Sequence, residues 1–253
     1  MHSPLVFDFV ENLFEDERQY YIFEKIERLR KQMLADSSKV QITDFGAGSL
    51  TGNKAEKPLK DIADSALTSK PFCELLFKTV SHYKSTTIVE LGTSLGLATT
   101  YLASARPTSS KVYTLEGNPH VAAIAKRNFQ KLELNNIELV LGQFEHTLQA
   151  TINQLPQLDL VFFDGNHQKQ PTVDYFQLCL PKASEETIFI FDDIYWSEGM
   201  TEAWNEIRQH EQVSHSIDLY QFGLLFFKKK TAATEAHTLI PHKWKPWSAG
   251  FFS

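Results

Sequence analysis

Ile88-Val-Glu90-Leu-Gly92-Thr93-Ser94-Leu-Gly96-Leu-Ala-Thr-Thr-Tyr-Leu-Ala-Ser-Ala105 is the stretch around which this chain of 253 residues is organised. A β-branched run, Thr86 to Val89, ends in the acid Glu90; Gly92 and Gly96 bracket a tight turn, and an Ala/Leu-rich helix opens at about Leu95. The order is therefore strand, glycine loop, helix. Two glycines leave room for backbone to approach a ligand, and a helix start offers unpaired N–H groups, so a nucleotide-like cofactor fits. A dinucleotide fits poorly, because Ser94 stands where the pyrophosphate fingerprint needs its middle glycine, and no P-loop Lys-Ser/Thr follows.

Composition narrows the class. With 42% hydrophobic and 22% charged residues the chain reads as globular rather than disordered. Its net charge of -6 argues against a broad phosphate-binding face, so no nucleic-acid partner is expected. Cys73 and Cys179 both lie in apolar helical patterns, as reduced core thiols would. No apolar run reaches bilayer length, and Asp8 and Glu11 interrupt the first apolar stretch, so no membrane partner and a cytoplasmic protein are expected.

Outward from the glycine loop, apolar strands alternate with helices. Lys111–Glu116, 137–141, 158–163 and 187–191 read as strands, each followed by a helical pattern, with Asn118-Pro119 and Ser197 as helix caps. Near-continuous apolar strands imply a parallel sheet covered on both faces. Residues 213–220 and 222–228, parted only by Gln221, can pair only as antiparallel neighbours. The expected fold is α/β: a Rossmann-like, doubly wound, seven-stranded sheet with a C-terminal antiparallel hairpin and an N-terminal helical cap. The expected organisation is helices and a loop over the site in 1–83, a cofactor-binding core in 84–230, and an aromatic tail in 231–253 with Trp244, Trp247, Phe251 and Phe252. Asp44-Phe-Gly46-Ala-Gly48 imitates the glycine loop, but the polar stretch after it cannot be the buried helix that a cofactor loop leads into. Residues 44–56 read as a surface loop, either a substrate lid or a plain connector.

Ligands of open α/β sheets bind beyond the carboxyl ends of the strands, where the acids of this chain stand. Glu116 has the position to accept hydrogen bonds from ribose hydroxyls, since Asn118 already supplies the helix cap. Gly142-Gln143-Phe144 closes the third strand, with Gln143 offering an amide and Phe144 a ring. Asp164 ends one strand and Asp192-Asp193 the next. Two like charges about 4 Å apart cost roughly 4 kcal/mol at an effective dielectric of 20, so a compensating Mg²⁺ is one reading. The other is a metal-free rim in which Asp193 caps a turn, Asp192 faces water and Asp164 touches the cofactor.

The glycine loop after Glu90 resembles motif I of the class I S-adenosylmethionine (SAM) methyltransferases. Asp164-Gly165-Asn166-His167 followed by Asp192-Asp193-Ile194-Tyr195 is similar to the metal-dependent O-methyltransferases, both the macrocin and sugar branch and the catechol-type branch. The resemblance covers roughly residues 70 to 228. It implies SAM held by Glu90, Gly92, Thr93, Ser94, Gly96, Glu116, Gly142, Gln143, Phe144 and Asp164, and Mg²⁺ held by Asp164, Asp192 and Asp193. It further implies a small-molecule hydroxyl acceptor such as a catechol, polyphenol or sugar diol, and allows a homodimer. Where that branch has an aspartate base this chain has Asn166, whose amide cannot take a proton; His167 is the substitute, with Lys169 as a second candidate. Asp164 would act beside them. A metal-independent methyltransferase and a non-catalytic SAM-binding protein are the alternatives.

Overall fold

The computed structural model describes residues 3–44, 53–229 and 234–241. Pro4 suits a first helical turn, and α1 (Pro4–Phe9) runs on as π-helix over Val10–Phe14. The charged residues 15–18 break the helix, and α2 (Tyr21–Ala35) follows. β1 (Lys39–Asp44) and β2 (Asn53–Pro58) pair antiparallel, Lys39 opposite Pro58 and Asp44 opposite Asn53. The loop expected over 44–56 is thus two strand ends; residues 45–52 lie outside the described residues, and with them the lid reading. Asn53-Lys-Ala-Glu-Lys-Pro58 has little β propensity, and only its partner makes it a strand. Pro58 stands directly before the next helix, α3 (Leu59–Ala66), as its N-cap.

After α4 (Lys70–His82) the alternation begins: β3 (Thr87–Leu91), α5 (Leu97–Ala105), β4 (Lys111–Glu116), α6 (Pro119–Lys131), β5 (Ile137–Leu141), α7 (Phe144–Asn153), β6 (Leu158–Phe163), α8 (Lys169–Cys179), β7 (Ala183–Phe191) and α9 (Glu198–Ile207). Then come β8 (His215–Asp218), β9 (Gly223–Phe226) and β10 (Glu235–Thr238). Both expected caps form: Asn118 Oδ1 accepts from the N–H of His120 and Val121, and Ser197 Oγ from that of Met200.

The sheet order is β5-β4-β3-β6-β7-β9-β8-β10, parallel throughout except for β9, which runs against both neighbours. The seven expected strands become eight because Glu235–Thr238 adds itself beside β8 in parallel. Those four residues were read as tail because Glu, Ala, His and Thr carry no apolar alternation. The chain leaves β3 for β4 and β5, then returns to β6 on the other side of β3, which puts the topological switch between β3 and β6.

Alternation along β6 divides the core between the two faces. Leu158, Val161 and Phe163 join Phe189 and Phe191 under α7, α8 and α9, while Leu160 and Phe162 join Ile188 and Ile190 under α1, α4 and α5. Phe163 and Phe191 stack with ring centres 4.3 Å apart. Burial on both faces is why these strands read as unbroken apolar runs. A third cluster attaches the cap: Phe23, Ile26, Leu29 and Met33 of α2 are buried with Leu97, Tyr101, Val121 and Ile124. Four such side chains contribute on the order of 6–12 kcal/mol before ordering entropy, enough to hold α2 firmly on the core.

Candidate active site

The carboxyl ends of β3, β4, β6 and β7 meet at one rim. Leu91 O accepts from Asp164 N at 2.8 Å and Phe163 O from Asp192 N at 2.9 Å, so the loops after β3, β6 and β7 are laced edge to edge. Each carries a non-glycine residue in the left-handed region: Ser94 at φ +47, Asn166 at φ +53 and Asp193 at φ +55. Strain gathered on one rim is a feature of functional sites.

The two glycines of the first loop are required by its packing. Gly92, at φ +106, faces the Asp164 carbonyl, which a Cβ would meet at 1.9 Å. At Gly96, φ +82, a Cβ would meet the Phe129 ring at 2.5 Å. Glycine there lets the loop lie against β6 and α6. Glu116 ties the same loop down: its two carboxylate oxygens accept from Ser94 N and Asn118 N, each at 2.8 Å. Burial raises its pKa against these bonds. Each oxygen keeps a lone pair for a further donor.

Glu90 is fully buried and does not open into the rim. Thr99 and Thr114 hydroxyls donate to its Oε2, Thr93 Oγ1 pairs with Thr114 Oγ1 at 2.5 Å, and Oε1 has no partner among the described residues. Burial pushes the pKa up to about 7. Gly142, at φ +144, leads into Gln143, whose carbonyl accepts from His146 N and Thr147 N as α7 begins. The Phe144 ring lies edge-on to Tyr175 and over Gly165.

Asp164 and Asp192 come together. Their carboxyl groups share a hydrogen bond; burial and then the charge of Asp192 raise the pKa of Asp164, while burial and then the charge of Asp193 push that of Asp192 up to about 7. Thr68 donates to Asp164 Oδ2 at 3.3 Å; Gln221 and the Asp193 N–H donate to Asp192 Oδ1 at 3.1 and 2.8 Å. Asp192 is 4% exposed, so it does not face water. His167 Nε2 lies 3.9 Å from Asp164 Oδ1, and burial lowers its pKa, which keeps the imidazole neutral. Lys169 is engaged elsewhere: its Nζ pairs with Glu202 at 2.8 Å, and that bond raises its pKa.

Two carboxylates that need either a proton or a cation between them suit Mg²⁺, which often takes only one or two protein carboxylates and keeps waters. The trio of aspartates does not form, since no three Asp, Glu, His or Cys side chains converge into a cation-holding group among the described residues. The left-handed turn at Asp193 gives the reason: its backbone N–H turns inward to Asp192.

A methyltransferase-domain family model matches residues 89–194, from β3 to just past Asp193. A catechol O-methyltransferase of Mycobacterium tuberculosis is 30% identical over 166 residues, covering 65% of this chain and 71% of that protein. The chain belongs to the SAM-dependent O-methyltransferases. Another catechol O-methyltransferase, of Niastella koreensis, is 31% identical over 115 residues, a match that takes in 42% of the methyltransferase and about half, 48%, of that relative. An O-methyltransferase of Bacillus cereus in complex with SAH shares the fold, with a TM-score of 0.60 at 19% identity over 88% of this chain and 97% of that one.

Three residues that hold the methyltransferase's strand-end acids had no local signal. Thr68 precedes α4, Gln221 sits in a hairpin turn and Thr114 lies inside β4; each is an ordinary residue whose partner is more than 20 positions away. Among the described residues no helix is long and apolar enough to cross a membrane, and both cysteines are buried and free.

Proposed function

We propose that this methyltransferase moves the methyl group of SAM to one hydroxyl of a small diol, a catechol, polyphenol or vicinal sugar diol, with Mg²⁺ as an aid. The observation that carries the reading is the buried Asp164–Asp192 pair with a neutral imidazole 3.9 Å from Asp164. The loop from Gly92 to Gly96 and the Glu116 carboxylate would bind the nucleoside, Glu116 through the ribose hydroxyls and Gln143 and Phe144 through the adenine. Mg²⁺ bound by Asp164 and Asp192 would supply positive charge that lowers the pKa of an acceptor hydroxyl.

The residues of the chain then have defined tasks. Rim loops laced by backbone hydrogen bonds hold donor and acceptor in line, which is where most of the acceleration of a displacement arises. His167 takes the acceptor proton at an imidazole nitrogen. The freed oxygen pair forms the new bond to the methyl carbon while the C–S electron pair returns to sulfur, leaving a neutral thioether. Lys169, already protonated and paired, has no lone pair to offer.

The test is a calorimetric titration of SAM followed by methyl-transfer assays on catechol and on a vicinal sugar diol, each with and without EDTA. SAM should bind in both conditions and turnover should need the free cation. Failure to bind SAM overturns the reading; turnover that ignores EDTA removes Mg²⁺ from it, and SAM binding without turnover of any acceptor makes the chain a SAM-binding protein.

A further inference from the structure

Tyr175 and Glu145 lie outside the residues given roles above, yet they end in a hydrogen-bonded chain on the loop that carries His167. Asn166 stands in the left-handed region at φ +53, and Gln168 N donates to Asn166 O at 2.5 Å, which closes the loop in a single tight turn. A branched-at-Cβ or long side chain tolerates that conformation poorly, and even asparagine needs support to stay in one place.

The support comes from two helices. Asn166 Nδ2 donates to Tyr175 Oη at 3.0 Å, Tyr175 Oη donates to Glu145 Oε1 at 2.5 Å, and Asn166 Nδ2 also reaches Glu145 Oε1 at 3.5 Å. Tyr175 is 3% exposed on α8, and burial beside the Glu145 carboxylate raises its pKa, so the phenol stays a donor. Glu145 is in the first turn of α7, directly after Phe144. The Phe144 ring meets Tyr175 edge-on at 5.7 Å and blocks the space over Gly165, where a Cβ would come within 2.7 Å. The loop 164–168 is therefore held at Gly165 by the Phe144 ring and at Asn166 by the Tyr175 phenol.

We propose that Glu145 and Tyr175 are positioning residues of the transfer reaction: through Asn166 they hold the turn that keeps His167 beside Asp164. This rests on the reading of His167 as proton acceptor. Because Phe144 belongs to the same clamp, the adenine side of the cofactor pocket and the proton acceptor share one support.

The experiment compares Tyr175→Phe, Asn166→Ala, their combination, Glu145→Gln and Glu145→Ala with the wild type, reading kcat and KM on catechol, thermal melting, and the low-field NMR signal of the Tyr175 hydroxyl proton. Tyr175→Phe and Asn166→Ala should each lower kcat about ten-fold with KM for SAM within about two-fold, and the double variant should lose no more than either single one. Glu145→Gln keeps a carbonyl that accepts from Tyr175 and should retain at least about half of kcat, whereas Glu145→Ala should fall with Tyr175→Phe. Losses that multiply in the double variant, or an unchanged kcat in Tyr175→Phe or Glu145→Ala, overturn the proposal. Should Tyr175→Phe fail to fold, the exposed Glu145 decides through its two variants. A wild type that transfers no methyl group while its hydroxyl signal is intact sinks the assignment of His167 and this role with it; an active wild type without that signal sinks this role alone.

Discussion

Asp164 and Asp192, ends of the neighbouring strands β6 and β7, share a hydrogen bond between their carboxyl groups. Such a pair cannot carry two negative charges without help, because at an effective dielectric of 20 the repulsion is about 4 kcal/mol at contact distances. Replacing one member should separate cation binding from cofactor binding. Asp192→Ala is expected to leave the Kd of SAM within about three-fold, to abolish calorimetric Mg²⁺ binding, and to lower turnover at least about 100-fold. Retained Mg²⁺ heat in that variant refutes the pair as the cation site.

His167 and Lys169 were both candidates for taking the proton, and their surroundings part them. His167→Gln should cost about 100-fold or more in kcat, the range of a lost general base. Lys169→Met should change kcat less than about two-fold, since only an exposed ion pair to Glu202 is lost. Steady-state kinetics on the two variants checks this, and equal losses would contradict it.

Glu90 makes stability depend on pH. Its folded pKa, about 7, lies above the unfolded carboxyl value of about 4.3, so the folded state binds more protons between the two. The contribution of Glu90 to stability should be fully present below the unfolded value and be lost as pH rises through about 7, by on the order of 3 kcal/mol for the cofactor-free protein. Glu90→Gln keeps an acceptor for Thr99 and Thr114 and removes the titration. Urea unfolding at pH 5 and pH 8 should give a smaller pH difference for the variant than for the wild type; identical differences would rule Glu90 out as the cause.

Gly92→Ala tests the packing role of the loop. A Cβ there meets the Asp164 carbonyl at 1.9 Å and the backbone stands at φ +106, so the loss of stability should exceed about 3 kcal/mol. Ser94→Gly, which relieves φ +47 at the cost of a little chain entropy, should be nearly neutral in thermal melting. Equal effects from the two changes would show that the close approach of β3 and β6 is not what needs glycine.

Much of this protein was legible because it is written in short-range patterns. β4, β5 and β6 fall on the residues expected of them, and the acids Glu116 and Asp164 stand at strand ends as read. Unbroken apolar strands can be satisfied only by burial on both faces, and two such strands joined by a very short connection only by a hairpin, although the turn takes the four residues 219–222 rather than Gln221 alone. The parallel sheet, its antiparallel finish and the caps at Asn118 and Ser197 therefore follow from the sequence by itself, since each rests on residues within a few positions of one another.

Tertiary structure decided what depends on partners far away. Asn53–Pro58 and Glu235–Thr238 are strands only because a neighbour offers free backbone groups to polar segments. Gly92 and Gly96 are needed for the Asp164 carbonyl and the Phe129 ring, which no reading of the loop could name. The three aspartates became a pair because the turn at Asp193 folds its N–H back onto Asp192. Periodicity states which side of a residue is covered; which residue covers it, and at what distance two charges settle, is fixed only when the strands lie side by side.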